Sequence, residues 1–220
     1  MQIAIASVLS PAEIREVLAA FGNAALVDGS ATAGFAARLV KDNLQAAASD
    51  RSLDDVRQFV SDRLLANELF KLAVRPKALS PLLFSRYEPG MNYGTHIDDA
   101  MMQGMRTDVS FTIFLDDPGT YEGGELVIQT TGGDDAIKLD AGSCIVYPAT
   151  SLHRVAQVTR GIRHAIAGWA RSYVRDAARR ELLFDLDTVR RQIFTRDGKT
   201  AEFDLLSKSV ANLLRMWVED

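Results

Sequence analysis

The fold and chemistry of this chain are best approached from one stretch, Tyr87-Glu88-Pro89-Gly90-Met91-Asn92-Tyr93-Gly94-Thr95-His96-Ile97-Asp98. Its histidine and its final carboxylate are two positions apart. Because residues i and i+2 of a β-strand point to the same face, His96 and Asp98 are predicted to aim a nitrogen and an oxygen at one point. The glycines at 90 and 94 permit tight backbone turns beside that point. The stretch therefore predicts one wall of a metal site.

The third metal ligand must come from elsewhere, and the chain has two other histidines, His153 and His164. Two histidines and one carboxylate leave coordination positions open, which is typical of non-haem Fe(II) oxygenases. His164 follows Arg163 directly, so on a strand the two side chains point to opposite faces. If Arg163 points inward, His153 is the preferred ligand. Asp99 has the wrong parity relative to His96 and is expected in a turn or behind the ligands.

Arg163 is the candidate for binding a second charged group. A dicarboxylate that chelates the metal at one end must bury its other carboxylate, and a buried carboxylate needs a paired cation. Arginine supplies a bidentate fork for this purpose. The alternative is that Arg163 is an ordinary surface residue of its strand. We prefer the inward position because the metal-ligand pattern accompanies it.

The composition is ordinary for a globular protein, with 47% hydrophobic and 25% charged residues among 220. This length suits one large domain, or one domain with appendages. The formal net charge of -4 and the pI of about 5.4 do not favour nucleic-acid binding, which usually needs a basic face. No apolar run is long enough to cross a membrane. Met1–Leu9 is too short for a signal peptide and has no basic leader. We therefore expect no nucleic-acid or membrane partner.

The single cysteine, Cys144, excludes an internal disulfide. This is consistent with a reducing compartment, and a cytoplasmic location is the expectation. The apolar neighbours of Cys144 predict a small buried strand residue rather than a reactive thiol.

Helical signals dominate the first third of the chain. Ser10-Pro11-Ala12-Glu13 is typical of a helix start and predicts a helix to about Phe21. Residues 22 to 48 read as a loop or weak strand followed by a segment without clear periodicity. Ser52 is a plausible second N-cap, and the apolar residues after it keep helical spacing, with a break, as far as Leu72.

The pattern changes near residue 77 to short apolar or alternating segments between turn residues. Eight such segments are predicted as strands: Leu82–Tyr87, Tyr93–Ile97, Val109–Leu115, Glu125–Gln129, Ala136–Leu139, Ser143–Tyr147, Leu152–Val158 and Arg163–Ser172. Two of the intervening turns are strongly marked, Asp116-Asp117-Pro118-Gly119 and Gly132-Gly133-Asp134-Asp135. Eight short strands of this kind favour an antiparallel jelly roll.

Helical spacing returns after Val174 and predicts a pair of amphipathic helices. The apolar faces are Leu182, Leu186, Val189 and Ile193 in the first helix, then Leu206, Val210, Leu213 and Trp217 in the second. Packing on the sheets is the preferred role of these faces. A homodimer through exposed Leu213, Leu214 or Trp217 is the alternative, in which the helices serve as an interaction module.

The sequence thus predicts an α+β protein in three regions. Residues 1–76 form a helical and strand region that packs on the core. Residues 77–173 form the jelly-roll domain, which carries the site. Residues 174–220 form the C-terminal helical region.

These features together form the pattern Tyr87…Tyr93-x-x-His96-x-Asp98, then Gly123-Gly124-Glu125-Leu126, then His153, then Arg163-x-Ala165-Ile166-x-x-Trp169. The pattern resembles the Fe(II)/2-oxoglutarate dioxygenases of the prolyl-hydroxylase superfamily. The tail is similar to that of bacterial PKHD-type hydroxylases in the segments Arg180-Glu181-Leu182-Leu183-Phe184-Asp185-Leu186-Asp187 and Asn212-Leu213-Leu214-Arg215-Met216-Trp217. That subgroup is named for its likeness to prolyl and lysyl hydroxylases and is often associated with iron uptake. The resemblance covers nearly the whole chain.

The resemblance implies a double-stranded β-helix that holds one Fe(II) per chain by His96, Asp98 and His153. It implies 2-oxoglutarate and O2 as co-substrates, with the 2-oxo and C1 carboxylate groups on the iron and the C5 carboxylate on Arg163. L-Ascorbate is a reductant that the resemblance allows.

Two tyrosine positions of related prolyl hydroxylases bear on the C5 carboxylate. Tyr87 corresponds to a tyrosine that helps to hold the co-substrate. A second tyrosine, on the strand near Ile113, is replaced here by an aliphatic residue. The resemblance therefore leaves open which residue assists Arg163.

The implied activity is hydroxylation, with succinate and CO2 as co-products. The family name suggests a peptidyl proline or lysine as substrate, and the iron-uptake association suggests a siderophore-related molecule. Tyr93, Trp169 and Asp99 are candidates for contacting the substrate or supporting the ligands. The segment Ala100–Asp108 is either a substrate lid or an ordinary connecting loop. It contains three methionines, whose flexible side chains adapt to apolar partners, Met101, Met102 and Met105.

A protein of a different class fits part of the same pattern. A non-catalytic jelly-roll protein that binds a metal, or senses iron or 2-oxoglutarate, needs the metal ligands but does not need Arg163. It would also not consume O2, so metal-dependent decarboxylation of 2-oxoglutarate separates the two hypotheses.

Overall fold

Two antiparallel sheets form the core of the computed structural model, which describes residues 1–219. The strands of the N-terminal half are β1 (Ile3–Ile5), β2 (Leu26–Asp28), β3 (Lys41–Asp42), β4 (Leu44–Ala46), β5 (Pro76–Leu79), β6 (Leu83–Tyr87), β7 (Asn92–His96), β8 (Met101–Met102) and β9 (Met105–Arg106). Those that follow are β10 (Val109–Phe114), β11 (Glu122–Gly123), β12 (Leu126–Thr130), β13 (Gly133–Ile137), β14 (Cys144–Pro148), β15 (His153–Val155), β16 (Val158–Arg160) and β17 (Arg163–Ser172).

The larger sheet has eight strands in the order β1-β14-β10-β17-β6-β4-β2, and β5 pairs with β17 outside this path. The smaller sheet has five strands in the order β13-β12-β15-β7-β3. Two short pairs, β11 with β16 and β8 with β9, complete the strands. The predicted α+β jelly roll is confirmed, and strands from the first 76 residues extend both sheets. The division into regions at residues 77 and 174 stays a prediction.

The larger sheet is buried on both faces, which explains why all six residues of β10 are buried. One face carries Phe111 and Ile113, which join the main apolar cluster together with residues of the N-terminal helices. The other face carries Phe114, which packs with Leu126 and Val155 of the smaller sheet. The space between the two sheets is therefore lined by alternate residues of each strand.

The helices of the N-terminal region are α1 (Pro11–Gly22), α2 (Asp54–Ala66) and α3 (Glu68–Val74). The predicted start of α1 is confirmed as a capping box: the Ser10 Oγ accepts from the Glu13 N–H, and the Ser10 N–H donates to Glu13 Oε2 at 2.7 Å. The prediction that Ser52 caps the second helix is wrong. Ser52 lies inside a short 3-10 turn capped by Asp50, whose side chain accepts from the Ser52 N–H. Asn67 produces the predicted break by capping α3.

The C-terminal helices are α4 (Ala177–Asp197) and α5 (Ala201–Trp217). Buried charges attach α4 to the core, because Asp187 pairs with Arg75 and the Arg180 guanidinium donates to the Val174 carbonyl oxygen at 2.8 Å. The apolar faces of α4 and α5 pack on each other around Leu183. None of the helices among residues 1–219 is long and apolar enough to span a membrane.

The prediction that three residues of the last helix are exposed is wrong. They are half-buried in the cluster between α4 and α5, because they lie on the inner face of the helix: Leu213, Leu214 and Trp217. The exposed apolar residues of α5 are instead Leu205, at 61% of its full accessibility, and Met216, at 72%.

Several predicted strand limits were also wrong. The predicted strand Leu152–Val158 is two strands, β15 and β16, with different partners. The second marked turn lies at Thr131-Gly132 rather than at residues 132–135, since Gly133 already belongs to β13. Most important for the site, β7 ends at His96, so Asp98 lies beyond the strand.

Candidate metal centre and its cavity

Three side chains that could hold a metal ion meet between the sheets. One potential ligand atom from each of His96, Asp98 and His153 lies within 4.8 Å of the other two. His96 and His153 are paired across β7 and β15, with their ring centres 4.2 Å apart. His153 Nε2 lies 3.9 Å from Asp98 Oδ1. Sheet pairing thus brings together residues that are more than fifty positions apart in the chain.

Both histidines are oriented in the same way by their own backbone. The Nδ1 of His96 lies 2.9 Å from the Gly94 carbonyl oxygen, and the Nδ1 of His153 lies 3.1 Å from the Ser151 carbonyl oxygen. When Nδ1 donates to these carbonyls, each Nε2 keeps a free lone pair for a metal. Burial, followed by the nearby His153, lowers the pKa of His96 to about 4. His96 is therefore neutral near pH 7, as a metal ligand must be.

The Asp98 carboxylate is held by the opposite sheet. Ser110 on β10 donates its hydroxyl to Asp98 Oδ2 at 2.5 Å. The i, i+2 spacing of a strand does not orient Asp98 as predicted, because Asp98 follows the end of β7. The hydrogen bond from Ser110, twelve residues further along the chain, is the side-chain contact that orients the carboxylate.

A cavity of about 820 Å³, including its mouth, adjoins these three residues. Both sheets contribute to its walls, and a segment that includes Gly34 and Ala37 covers one side. The role of this segment is not predictable from the sequence, because its short 3-10 turns and two-residue strand leave no repeating pattern.

Arg163 lies inside the protein at one end of this cavity, and only 2% of its surface is exposed. It begins β17 directly opposite Tyr87 on β6. Its guanidinium carbon is 5.1 Å from the centre of the Tyr87 ring and 5.5 Å from that of Phe114. Within residues 1–219, Arg163 has no carboxylate at ion-pair distance, and its buried Nε has no hydrogen-bond partner. A buried cation of this kind calls for an anionic ligand.

Tyr121, which the sequence pattern did not indicate, lies beside Arg163. It is buried, and burial raises its pKa, while the charge of Arg163 and a hydrogen bond to Arg163 lower it. Gly124 completes this packing, since a Cβ there would lie 2.9 Å from Arg163 Cδ and 3.2 Å from Tyr121 Cε2. The available signal was the position of Tyr121 just before the Gly-Gly pair. Ile113 points to the helical side of the sheet, away from this end of the cavity.

The remaining candidate residues lie either inside the cavity or exposed at its mouth. Tyr93 stacks on the His96 ring at 3.6 Å and 15°, and Trp169 lines the cavity with its Nε1 lacking a hydrogen-bond partner among residues 1–219. Asp99 is exposed at the mouth of the cavity, near Gly34.

His164 faces the opposite side of its strand from Arg163. Its Nδ1 lies 3.0 Å from Asp116 Oδ2, and its ring meets Phe21 edge-on at 5.6 Å. In the methionine segment, β8 and β9 form a small hairpin from which Met102 lines the cavity, whereas Met101 is exposed.

Comparison with known proteins agrees with this geometry. The model of the 2OG-Fe(II) oxygenase superfamily matches residues 82–171, and that of the PKHD-type hydroxylase C-terminal domain matches residues 176–219. A PKHD-type hydroxylase of a Picosynechococcus species is 52% identical over 98% of this chain and 98% of the relative. One of Gloeothece citriformis is 52% identical over the full length of both chains.

Solved structures with the same fold are more distant. A Pseudomonas putida prolyl-4-hydroxylase has a TM-score of 0.57 and 19% identity, covering 78% of this chain and 92% of its own. The epimerase SnoN from nogalamycin biosynthesis also has a TM-score of 0.57, at 14% identity, covering 79% of this chain and 77% of its own. These likenesses show the fold alone, and they include a hydroxylase and an epimerase.

The jelly roll and the superfamily match together define the class of an Fe(II)- and 2-oxoglutarate-dependent dioxygenase, which uses O2 as its second co-substrate. Within that class, the chain belongs to the PKHD-type hydroxylases.

Proposed function

We propose that the protein hydroxylates its substrate with iron held by His96, Asp98 and His153, and with 2-oxoglutarate placed between the iron and Arg163. The observation that carries this proposal is the buried guanidinium of Arg163 in the same cavity as the three candidate ligands. The donor set of two imidazoles and one carboxylate suits Fe(II) and leaves positions open for other ligands. The residues present therefore fit both the metal and the co-substrate.

Each part of the cavity wall has a separate task in this proposal. When bound, iron would supply the oxidising chemistry, in which 2-oxoglutarate and O2 give succinate, CO2 and one oxygen atom for the substrate. His96 and His153 offer Nε2 atoms that their Nδ1 contacts keep in one orientation. Ser110 holds the carboxylate of Asp98, and Arg163 pairs with the C5 carboxylate of the co-substrate.

Tyr87 and Tyr121 hold Arg163 in place. The Tyr87 ring covers the guanidinium, and Tyr121 contacts it from the side of Gly124. Tyr87 also lines the cavity, where it can contact the co-substrate. Trp169 lines the same cavity, whereas Tyr93 acts on the metal ligand by stacking on His96.

The substrate belongs to one of two groups in this proposal, a peptidyl proline or lysine, or a siderophore-related molecule. The relatives named PKHD-type hydroxylase support hydroxylation as the reaction. Met102 contacts the substrate if the β8–β9 hairpin acts as a lid. Ascorbate as reductant, a role in iron uptake and a cytoplasmic location stay predictions.

The test of the proposed function is formation of succinate from 2-oxoglutarate by the Fe(II)-loaded protein. We expect turnover by the wild type, none by His96→Ala, and turnover by Arg163→Met only at much higher 2-oxoglutarate concentration. His164→Ala is the matched control, because His164 faces away from the cavity, and it should behave like the wild type. A wild type that neither binds Fe(II) nor consumes 2-oxoglutarate would refute the proposal.

A homodimer through the C-terminal helices is the proposed assembly. Leu205 and Met216 are the exposed apolar residues of α5 that such a contact would use. Sedimentation velocity over a range of concentrations tests it, and a monomer at the highest concentration would contradict it.

A further inference from the structure

We propose that the substrate carries an anionic group and that Lys41 binds this group at the mouth of the cavity. The inference rests on the proposed function and narrows its substrate class. It depends on four observations about Lys41: its position, its lack of a counter-ion, the charge balance of the site and the network that orients it.

Lys41 stands next to the metal ligands. It begins β3 and is paired with Tyr93 across β3 and β7. Its Nζ lies 5.0 Å from the centre of the Tyr93 ring. The Tyr93 ring in turn stacks on the His96 ring, with 3.6 Å between the two ring centres. Lys41 lines the same cavity as the candidate metal centre. A substrate bound in this cavity can therefore reach the Lys41 side chain.

The ammonium has no ion-pair partner among residues 1–219. Its one hydrogen bond there goes to Thr32 Oγ1 at 3.0 Å, which leaves two donors free. Asp98 and Asp28 attract it only from beyond ion-pair distance. Both of these carboxylates have other partners, since Asp98 accepts from Ser110 and Asp28 accepts from the Ser30 N–H.

The charges of the loaded site balance without Lys41. Fe(II) and Arg163 together match the charges of Asp98 and the two carboxylates of 2-oxoglutarate. Asp99, which is exposed at the mouth, adds one negative charge to the cavity lining, and half-buried Lys41 adds one positive charge to it. Burial lowers the pKa of Lys41 to about 8, so the ammonium is still protonated near pH 7 and gains from an anionic partner.

A chain of hydrogen bonds orients Lys41. Thr32 Oγ1 lies 2.5 Å from Gln45 Oε1, and Gln45 Nε2 donates to the Ser85 hydroxyl at 3.1 Å. Since Gln45 accepts from Thr32, the Thr32 oxygen turns a lone pair toward the ammonium. Gln45 is buried, so this network anchors the Thr32 hydroxyl that accepts the hydrogen bond from the ammonium.

This arrangement discriminates among substrates by charge. A peptidyl lysine would bring a second ammonium toward Lys41, and like charges repel. A carboxylate or another compact anionic group would be attracted, while Ala37 and Met102 offer apolar surface to the rest of the molecule. The geometry therefore favours an acidic substrate with an apolar portion over a basic one.

The test uses phenylbutyrate and its uncharged amide as matched probes. Zn(II) replaces iron to prevent turnover, and saturating 2-oxoglutarate occupies Arg163, so that the probes compete for the remaining cavity. Ligand-observed NMR titrations then give both affinities for the wild type, Lys41→Met and Lys41→Arg. Lys77→Met is the matched control, because Lys77 is also half-buried over a tyrosine ring, Tyr173, but lies outside the cavity.

We expect the wild type to bind phenylbutyrate roughly tenfold more tightly than the amide. Lys41→Met should lose this preference, whereas Lys41→Arg and Lys77→Met should keep it. Equal binding of acid and amide by the wild type, no binding of the acid, or an unchanged preference in Lys41→Met would overturn the inference. Failure of 2-oxoglutarate to bind in the same samples would instead count against the proposed function. Thermal melting of each variant verifies that it is folded.

Discussion

His96 and His153 are direct cross-strand partners, and their rings lie 4.2 Å apart at the adjoining ends of β7 and β15. The candidate metal centre is thus a product of sheet pairing. Any change that shifts the register of these strands separates the two imidazoles, so the fold and the site depend on each other.

Removal of one imidazole should strongly weaken specific metal binding. We expect His153→Ala to weaken Fe(II) or Mn(II) affinity by at least roughly a hundredfold, since the loss of even an outer-sphere partner costs tenfold to a hundredfold. Isothermal titration calorimetry measures the affinity. His164→Ala should bind metal like the wild type, because His164 is engaged with Asp116 on the other side of the strand. Equal losses in both variants would mean that the three residues are not the site.

Ser110 should matter for the metal although it does not contact it. Ser110→Ala removes the hydrogen bond to Asp98 Oδ2, and we expect metal affinity to fall by roughly tenfold to a hundredfold. Ser85→Ala is the control, since Ser85 lines the same cavity but bonds to Gln45 instead. If Ser110→Ala binds metal as the wild type does, Asp98 is positioned by its own backbone.

Replacement of Arg163 should separate co-substrate binding from stability. Arg163→Met is expected to weaken 2-oxoglutarate binding by roughly a hundredfold, because a charge-assisted bidentate contact is lost. The melting temperature should stay the same or rise, since replacing a buried unpaired ion by an apolar side chain often stabilises a protein. Calorimetry and thermal melting measure the two quantities. A large loss of stability with unchanged 2-oxoglutarate affinity would identify Arg163 as a structural residue.

Gly124 should be required for the position of Arg163. Gly124→Ala must accept both a positive φ of 69° and a Cβ within 3.0 Å of Arg163 Cδ and Val158 Cγ2. We expect a loss of roughly 2–4 kcal/mol in the free energy of unfolding, together with weaker 2-oxoglutarate binding.

Gly198→Ala separates the effect of the positive φ from the effect of the contact with Arg163. Gly198 also has a positive φ, of 74°, but open space around the Cβ position. Its ψ of -148° lies in a region that is essentially limited to glycine, so the substitution should cost about 1–3 kcal/mol, and 2-oxoglutarate binding should be unchanged. Identical effects in the two variants would show that backbone strain alone is responsible. Urea unfolding measures the free energies.

Lys41 should give the stability of the metal-free protein a pH dependence of known sign. Its pKa falls on folding from 10.5 to about 8, so between these values the unfolded chain binds more protons and stability rises with pH. Below pH 8 the full penalty applies, and Lys41→Met should be more stable than the wild type by roughly 1–3 kcal/mol.

The difference between Lys41→Met and the wild type should shrink toward pH 10.5. Urea unfolding at several pH values measures it, with Lys77→Met as the variant whose difference from the wild type should not change in this way. Parallel stability curves for Lys41→Met and the wild type would show that burial does not perturb Lys41.

Local patterns in the sequence were informative where the structure is local. The capping box at Ser10 and Glu13 places the start of α1, and strand parity separates Arg163 from His164. The turn residues and alternating segments indicate the jelly roll, because the alternation of apolar and polar residues along each strand shows which face is buried. The histidines and the arginine were candidates from their chemistry and their spacing along predicted strands.

The tertiary structure decided what distant residues do to one another. Asp98 lies beyond the end of β7 and accepts a hydrogen bond from Ser110 on β10. Arg163 contacts Tyr121, which lies more than forty residues earlier in the chain. The wall that contains Lys41 comes from a segment without periodicity. By itself, the sequence determined most of the longer strands and helices and the set of chemically able side chains, because these depend on near neighbours. Only the packing of the two sheets determined which of those side chains meet, since hydrogen bonds and ion pairs between remote segments leave no periodic trace in the chain.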